Sequence, residues 1–369
     1  MMPFRTFDQN GNLIDKKKLT DWLIDIKNRG FKGVTSDFWW KIVEPNPKKY
    51  NFGPYIELAN EIEKMGLKLK VILSFHSCGN TIGDECNFPL PTWVLDTGND
   101  IFYQDQNGNI NKEYISIFAD DSQLSDGRLV LEAYNDLITQ FHLEFEKYYG
   151  DLIINIELGA GPAGQLHYPS YSYDKAFCGI GFFQWYGSKA SEKFNEFLKN
   201  IKFSDDSQKI IEKYLKMPSP TLNEVYYKPY QEYFFSELNI GNEKCNIFEN
   251  KDDCGDLTTT QVQCESKGCC WKEIPDQPYC YYSKEVYNYK ADFGLIYMHW
   301  YQEEQLKHLQ KLLTIGRKVL GFGVPISLKL PCVHWFVNSD SRAAEKTSGF
   351  VINYEEQLNF DVIFLFFLN

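Results

Sequence analysis

Six polar side chains fall just after apolar runs of this sequence: Asp37, His76, Asp84, Gln165, Lys329 and His334. Carboxylates, imidazoles, an ammonium and an amide in that setting suit hydrogen bonding to a ligand, or proton transfer to one. The stretch GAGPAGQLHYPSYSY, residues 159–173, carries the sharpest clue. Its Gly/Pro-rich turn follows the apolar run DLIINIELG and delivers Gln165, His167 and Tyr168 to one place. A turn at a strand's end is where an enzyme would hold an acid, and here a neutral amide stands there. Each residue taken singly also has a plainer use. A histidine after a strand is more often structural, Asp84 can cap a turn, and Lys329 can pair with a surface carboxylate. Asp37 and the Trp39-Trp40 pair read as core and scaffold.

The elements that must position these groups alternate along the chain. Residues 15–30 have helical periodicity and end at Gly30, and FKGVTSDFWW then reads as a buried strand. The helix YIELANEIEKMG and the strand LKLKVILSFH repeat the pattern. A long loop, 77–128, precedes a helix at 129–149 and a strand at 152–158. Further helices are expected at 187–200 and 291–318, and a strand at 324–335. Continuously apolar strands between helices indicate a parallel sheet covered on both faces. The expected fold is therefore α/β, a (β/α)8 TIM-type barrel, whose ligand site is built at the carboxyl ends of the strands. A doubly wound open sheet would alternate in the same way, but no Gly-rich phosphate loop supports it. With about four or five convincing strands, the barrel is expected to be incomplete at both ends.

Bulk composition narrows the partners. The 369 residues are 43% hydrophobic and 24% charged, which is ordinary for a protein with a substantial core. A net charge of −12 argues against nucleic acid or an anionic membrane, whereas a neutral substrate tolerates that field. The 28 Phe, 24 Tyr and 8 Trp supply flat faces for a core and for stacking on sugars. No apolar run reaches transmembrane length, and the end VIFLFFLN is too short to span a bilayer. No constellation of residues calls for a metal or another cofactor.

Six of the ten cysteines lie between Cys245 and Cys280, spaced C-x8-C-G-x8-C-x4-C-C-W-x8-C-Y. Such a cluster reads as a local disulfide framework, and spacing alone does not choose among the possible pairings. Zinc is disfavoured, since the cluster has no histidine and no C-x2-C spacing. The stretches DCGDLTTTQVQC and GCCWKEIPDQPYCYY resemble the trefoil (P-type) domain. That resemblance implies the pairs Cys245–Cys270, Cys254–Cys269 and Cys264–Cys280, a secreted or endomembrane-lumen location, and contact with glycans. No signal peptide precedes Met1, so the start is expected to be incomplete. The other four cysteines, Cys78, Cys86, Cys178 and Cys332, read as buried thiols. The domain organisation is thus a barrel over 1–240, a trefoil insertion over 241–284, and the rest of the barrel over 285–369.

GVTSDFWWKIVE, SFHSCGNTIGD with NFPLPTWVLD, and GPAGQLHYPSY with GIGFFQWY together resemble the β-amylases; SLKLPCVHW and RAAEKTSGF match further on, in the same order. The resemblance implies a (β/α)8 barrel that releases β-maltose from the non-reducing ends of α-1,4-glucans, with inversion. Inversion needs a carboxylic acid for the leaving oxygen and a carboxylate base for the water. The family's acid falls on Gln165, which has no acidic proton, and the family's base lies in a Gly-Glu-Asn segment missing from this chain. Glu157 matches a different family glutamate and is not a substitute. His76, Asp84, Lys329 and His334 fall on sugar-binding positions, and a first-strand aspartate falls on Asp8 or Asn10. Arg342 stands where the family has histidine. Two readings follow: a β-amylase-type hydrolase impaired in this chain, or a non-catalytic α-glucan-binding pseudoenzyme.

Overall fold

The computed structural model describes residues 2–3, 6–8, 10–13, 15–79, 86–105, 108–169, 183–200, 255, 258–266, 270–273, 279–281 and 292–330. Two compact units are formed, Met1–Lys193 with Gln302–Asn369, and Phe194–Tyr301, which contains the whole cysteine-rich stretch.

The first unit begins with α1 (Lys16–Asn28). Asp15 caps it by accepting from the Lys18 N–H, and Gly30 ends it at φ +86°, where a side chain would be strained. Then come β1 (Gly33–Trp39), the short α2 (Trp40–Val43), α3 (Gly53–Lys64) and β2 (Lys68–Ser74). After α4 (Thr92–Leu95), β3 (Phe102–Gln104) and β4 (Ile110–Ile115) pair antiparallel. This hairpin lies in the stretch that the sequence reading leaves as loop. Helix α5 (Val130–Phe145) and β5 (Ile153–Leu158) follow, then α6 (Ser188–Asn200), which passes into the second unit.

In the second unit, α7 (Gln261–Ser266) accompanies the antiparallel pair β6 (Cys270–Trp271) and β7 (Cys280–Tyr281). Cys264 and Cys280 are joined by a disulfide, and Cys270 is also disulfide-bonded. Cys245, Cys254 and Cys269 lie outside the described residues. Helix α8 (Asp292–Leu320) returns the chain to the first unit, where β8 (Ile326–Ser327) closes the described sheet. Cys78 and Cys86 are joined by a disulfide, which corrects their reading as free thiols; only eight positions separate them.

The main sheet is parallel, in the order β1-β2-β5-β8. Its register puts Asp37, Ile72, Glu157 and Ser327 in one row across the strands. Side chains alternate between faces along a strand, so Phe38, Leu73 and Leu158 point the other way. That second face is a dry aromatic layer under the helices. Phe38 stacks on Tyr55 of α3 at 4.0 Å and meets Phe141 and Phe145 of α5 edge-on at 5.7 and 5.4 Å. Each such ring, fully buried, contributes about 1.5–3 kcal/mol. The first face is polar: Ser74 Oγ donates to Asp37 Oδ1 (2.9 Å), Lys70 pairs with Glu157 (2.5 Å), and Ser327 Oγ donates to Asn155 Oδ1 (2.6 Å). One face packs the core, and the other carries the charges.

Helix α8 is fastened to this unit through a buried polar chain. His308 Nδ1 lies 2.8 Å from Asp120 Oδ1, and its Nε2 lies 3.1 Å from the Tyr114 hydroxyl on β4. Among the described residues no helix is long and apolar enough to cross a membrane, and no cluster of His, Cys, Asp and Glu could hold a metal.

Candidate functional site

The charged face of the sheet opens at the carboxyl ends of its strands. There β2 continues into Phe75-His76, and β5 into the turn 159–168. The turn is tight because glycine occupies two of its corners. A Cβ on Gly161 would sit 2.3 Å from the Gln165 carbonyl, and Gly164 has φ +72° with its α-carbon facing the His76 ring. Past this corner Gln165 is extended and bridges Lys329 in parallel, with the Leu166 N–H donating to the Lys329 carbonyl at 3.0 Å. The Lys329 ammonium reaches the Ala163 carbonyl at 3.4 Å.

His76 is buried, its ring 5.2 Å from that of Trp39, which in turn stacks on Phe88 at 5.5 Å. Burial, followed by the nearby Lys329 and His167, lowers its pKa to about 3, so the imidazole is neutral. Its Nδ1 has no hydrogen-bond partner among the described residues. A buried polar atom left so costs about 1–3 kcal/mol, which a ligand hydroxyl or a water would recover. His167 is lowered to about 4 by burial, and its Nδ1 lies 2.5 Å from the Tyr168 carbonyl. Asp37 goes the other way. Burial raises it to about 6, against the pull of Ser74 and Lys329. Glu157 Oε1, on the same face, also lacks a partner among the described residues.

Gln165, Lys329 and His76 of the sequence reading therefore come together, and His167 joins them. Asp84 and His334 lie outside the described residues. Asp8 makes local hydrogen bonds: its carboxylate accepts from the N–H groups of Asn10 and Asn12 at 2.8 and 2.9 Å, holding its own turn. The aspartate that the first strand brings to the charged face is Asp37, which the sequence reading assigns to the scaffold. Of Asp37, Lys70 and Glu157, the last was legible from the sequence pattern. In β5, Asn155 and Glu157 alternate with Ile154, Ile156 and Leu158 at period two, the mark of a strand with one polar face, whereas Ser36 in β1 and Ile72 in β2 break that alternation.

A parallel sheet with helices on one face and convergent polar groups at its carboxyl ends defines an α/β protein with a ligand site at the strand ends. The comparisons narrow that class. The profile of glycosyl hydrolase family 14 matches residues 1–213 and 227–366, and the chain belongs to that family. The β-amylase of Vigna unguiculata is 30% identical over 358 residues, covering 95% of this chain and 60% of the relative. A chloroplastic β-amylase 2 of Oryza sativa subsp. japonica is 31% identical over 360 residues, covering 95% and 55%. Among solved structures, the catalytic domain of β-amylase from Paenibacillus polymyxa superposes with a TM-score of 0.63 at 25% identity, covering 93% of this chain and 70% of that one. The chain spans about 60% of the length of the curated relatives it matches.

Proposed function

We propose that this chain binds maltose and the non-reducing ends of α-1,4-glucans at the carboxyl ends of β1, β2, β5 and β8, and hydrolyses them at no better than a trace rate. The observation that carries this reading is the amide side chain at position 165, on a residue whose backbone bridges that of Lys329 in the turn where the family resemblance places the general acid. Family membership supports the glucan. The neutral, buried His76 with an unfilled nitrogen supports a polar, uncharged ligand. Gln165 keeps the shape of a glutamic acid and can still donate from its NH2 to a glycosidic oxygen, but it has no proton to transfer. Loss of a general acid alone lowers a rate by about 10²–10⁴-fold.

Titration calorimetry with millimolar maltose, together with a reducing-sugar assay on soluble starch, tests both halves. Heat of binding without maltose release is the expected result. Robust release of β-maltose would establish the competing reading, a working β-amylase-type hydrolase, and no heat of binding would remove the sugar site. As part of the same proposal, residues 241–284 form a trefoil module offering a second glycan contact, and the chain works in an oxidising, extracellular or lumenal compartment. The bonded Cys264, Cys270 and Cys280 support this.

A further inference from the structure

Ala163 is one of two non-glycine residues with positive φ among the described ones, at φ +51° and ψ 22°. Left-handed backbone crowds a Cβ against the following carbonyl, so alanine does not hold it without help. Here the help is visible. The Ala163 N–H donates to Glu113 Oε1 at 2.8 Å, and its carbonyl accepts from the Lys329 ammonium at 3.4 Å. Glu113 lies on β4, and its own backbone carbonyl accepts from the Ser77 N–H at 2.7 Å. A single residue of the hairpin thus grips two chain segments: the exit of β2 beside His76, and the turn two residues before Gln165.

We propose that Glu113 is a positioning residue, a clasp that holds Ala163 left-handed and so fixes where Gln165 and His76 stand relative to each other. The inference rests on the reading of this site as a sugar site, and it adds a residue that neither the strand-end pattern nor the turn motif points to. The physical reason is leverage. An anionic acceptor makes a strong, short bond to a backbone N–H. When that bond is lost, Ala163 relaxes toward ordinary backbone angles, and the rotation swings the chain at Gln165. A displacement of about 1 Å is enough to spoil a preorganised site.

The experiment uses the full chain as Glu113→Ala, Glu113→Gln and Ala163→Gly, and as Glu113→Ala combined with Ala163→Gly. It reads backbone hydrogen exchange over residues 161–168 and 76–79, and maltose affinity by calorimetry. Glu113→Ala should speed exchange over 161–168 and weaken maltose by about tenfold or more, while residues 76–79, which the main-chain carbonyl of residue 113 still holds, and the β1 and β5 amides stay unchanged. Glu113→Gln should keep most of the protection, because its carbonyl accepts the same bond. Adding Ala163→Gly to Glu113→Ala should restore protection and affinity, because glycine is left-handed without strain. Unchanged exchange in Glu113→Ala, or a defect that Ala163→Gly leaves in place, would overturn the proposal. If Glu113→Ala does not fold, Ala163→Gly alone carries the test: affinity and protection within about threefold of the parent support the clasp, and a larger loss refutes it. Should the parent chain not bind maltose, the sugar reading falls by itself, and the exchange data still decide the clasp.

Discussion

Burial acts on the ionisable residues of this site in opposite directions. It keeps His76 and His167 uncharged and pushes Asp37 toward its protonated form. A folded-state pKa of about 6 against an ordinary 3.8 means that the folded chain binds the extra proton between those values. The contribution of Asp37 to stability is therefore full at low pH and is lost as pH rises through 6, a change of about 3 kcal/mol at most. His76 runs the other way: its stabilising effect is present above the ordinary histidine value and is lost as pH falls toward 3. Substituting Asp37→Asn removes only the first effect. Urea unfolding of the parent and this variant at pH 4 and pH 7.5 should show the variant gaining on the parent at the higher pH. A stability difference that stays constant between the two pH values, or that shifts in the parent's favour at pH 7.5, would mean that Asp37 is ionised without penalty.

Among the elements, the β3–β4 hairpin and helix α8 have their effect through one buried chain of groups. Asp120 is held below the usual carboxylate range although burial alone would raise it, because His308 and Lys311 face it. Tyr114, Tyr103 and Tyr134 close the rest of that pocket, all fully buried. Removing one member of a buried hydrogen-bonded pair leaves the other without its partner. His308→Leu should cost about 1–3 kcal/mol in denaturant unfolding, more than an exposed helix substitution. The direction of the Asp120 shift adds a pH signature. Its contribution is present above the ordinary carboxylate pKa and is lost as pH falls through its lowered value, and the variant, which keeps Lys311, should lose part of that dependence. Parent-like stability in His308→Leu would show that aromatic packing, and not this chain, seats the helix.

On the scale of the molecule, the two compact units carry separate kinds of stabilisation. The unit formed by Met1–Lys193 and Gln302–Asn369 has the parallel sheet and its aromatic layer, whereas Phe194–Tyr301 contains the short β6–β7 pair and the Cys264–Cys280 bridge. That bridge links positions 16 apart, so losing it should cost about 3 kcal/mol. Replacing both cysteines by alanine should lower the melting of the Phe194–Tyr301 unit in calorimetry and leave the proposed maltose binding at the sheet unchanged. Loss of maltose binding in that variant would show the proposed sugar site to depend on the bridge.

Helices α1, α3, α5, α6 and α8 and strands β1, β2 and β5 were legible in the sequence to within a few residues, because apolar periodicity and glycine stops act locally. So were the turn at Gln165 and the grouping of His76 with Lys329, which the motif order carries. The β3–β4 hairpin was not, since its first strand is only three residues long and its register slips between Phe102 and Tyr103. Nor was the place of Asp37 on the charged face of the sheet. A carboxylate's role depends on which face of the sheet it shares and with what, and that is set by the strand register. Residue type and order alone determined the family and the absence of an acid at position 165. Only the tertiary structure decided which charges meet, that His76 is neutral with an unfilled nitrogen, and that Glu113 reaches across 50 positions to Ala163. Those are properties of contacts between segments distant in the chain, and periodicity cannot encode them.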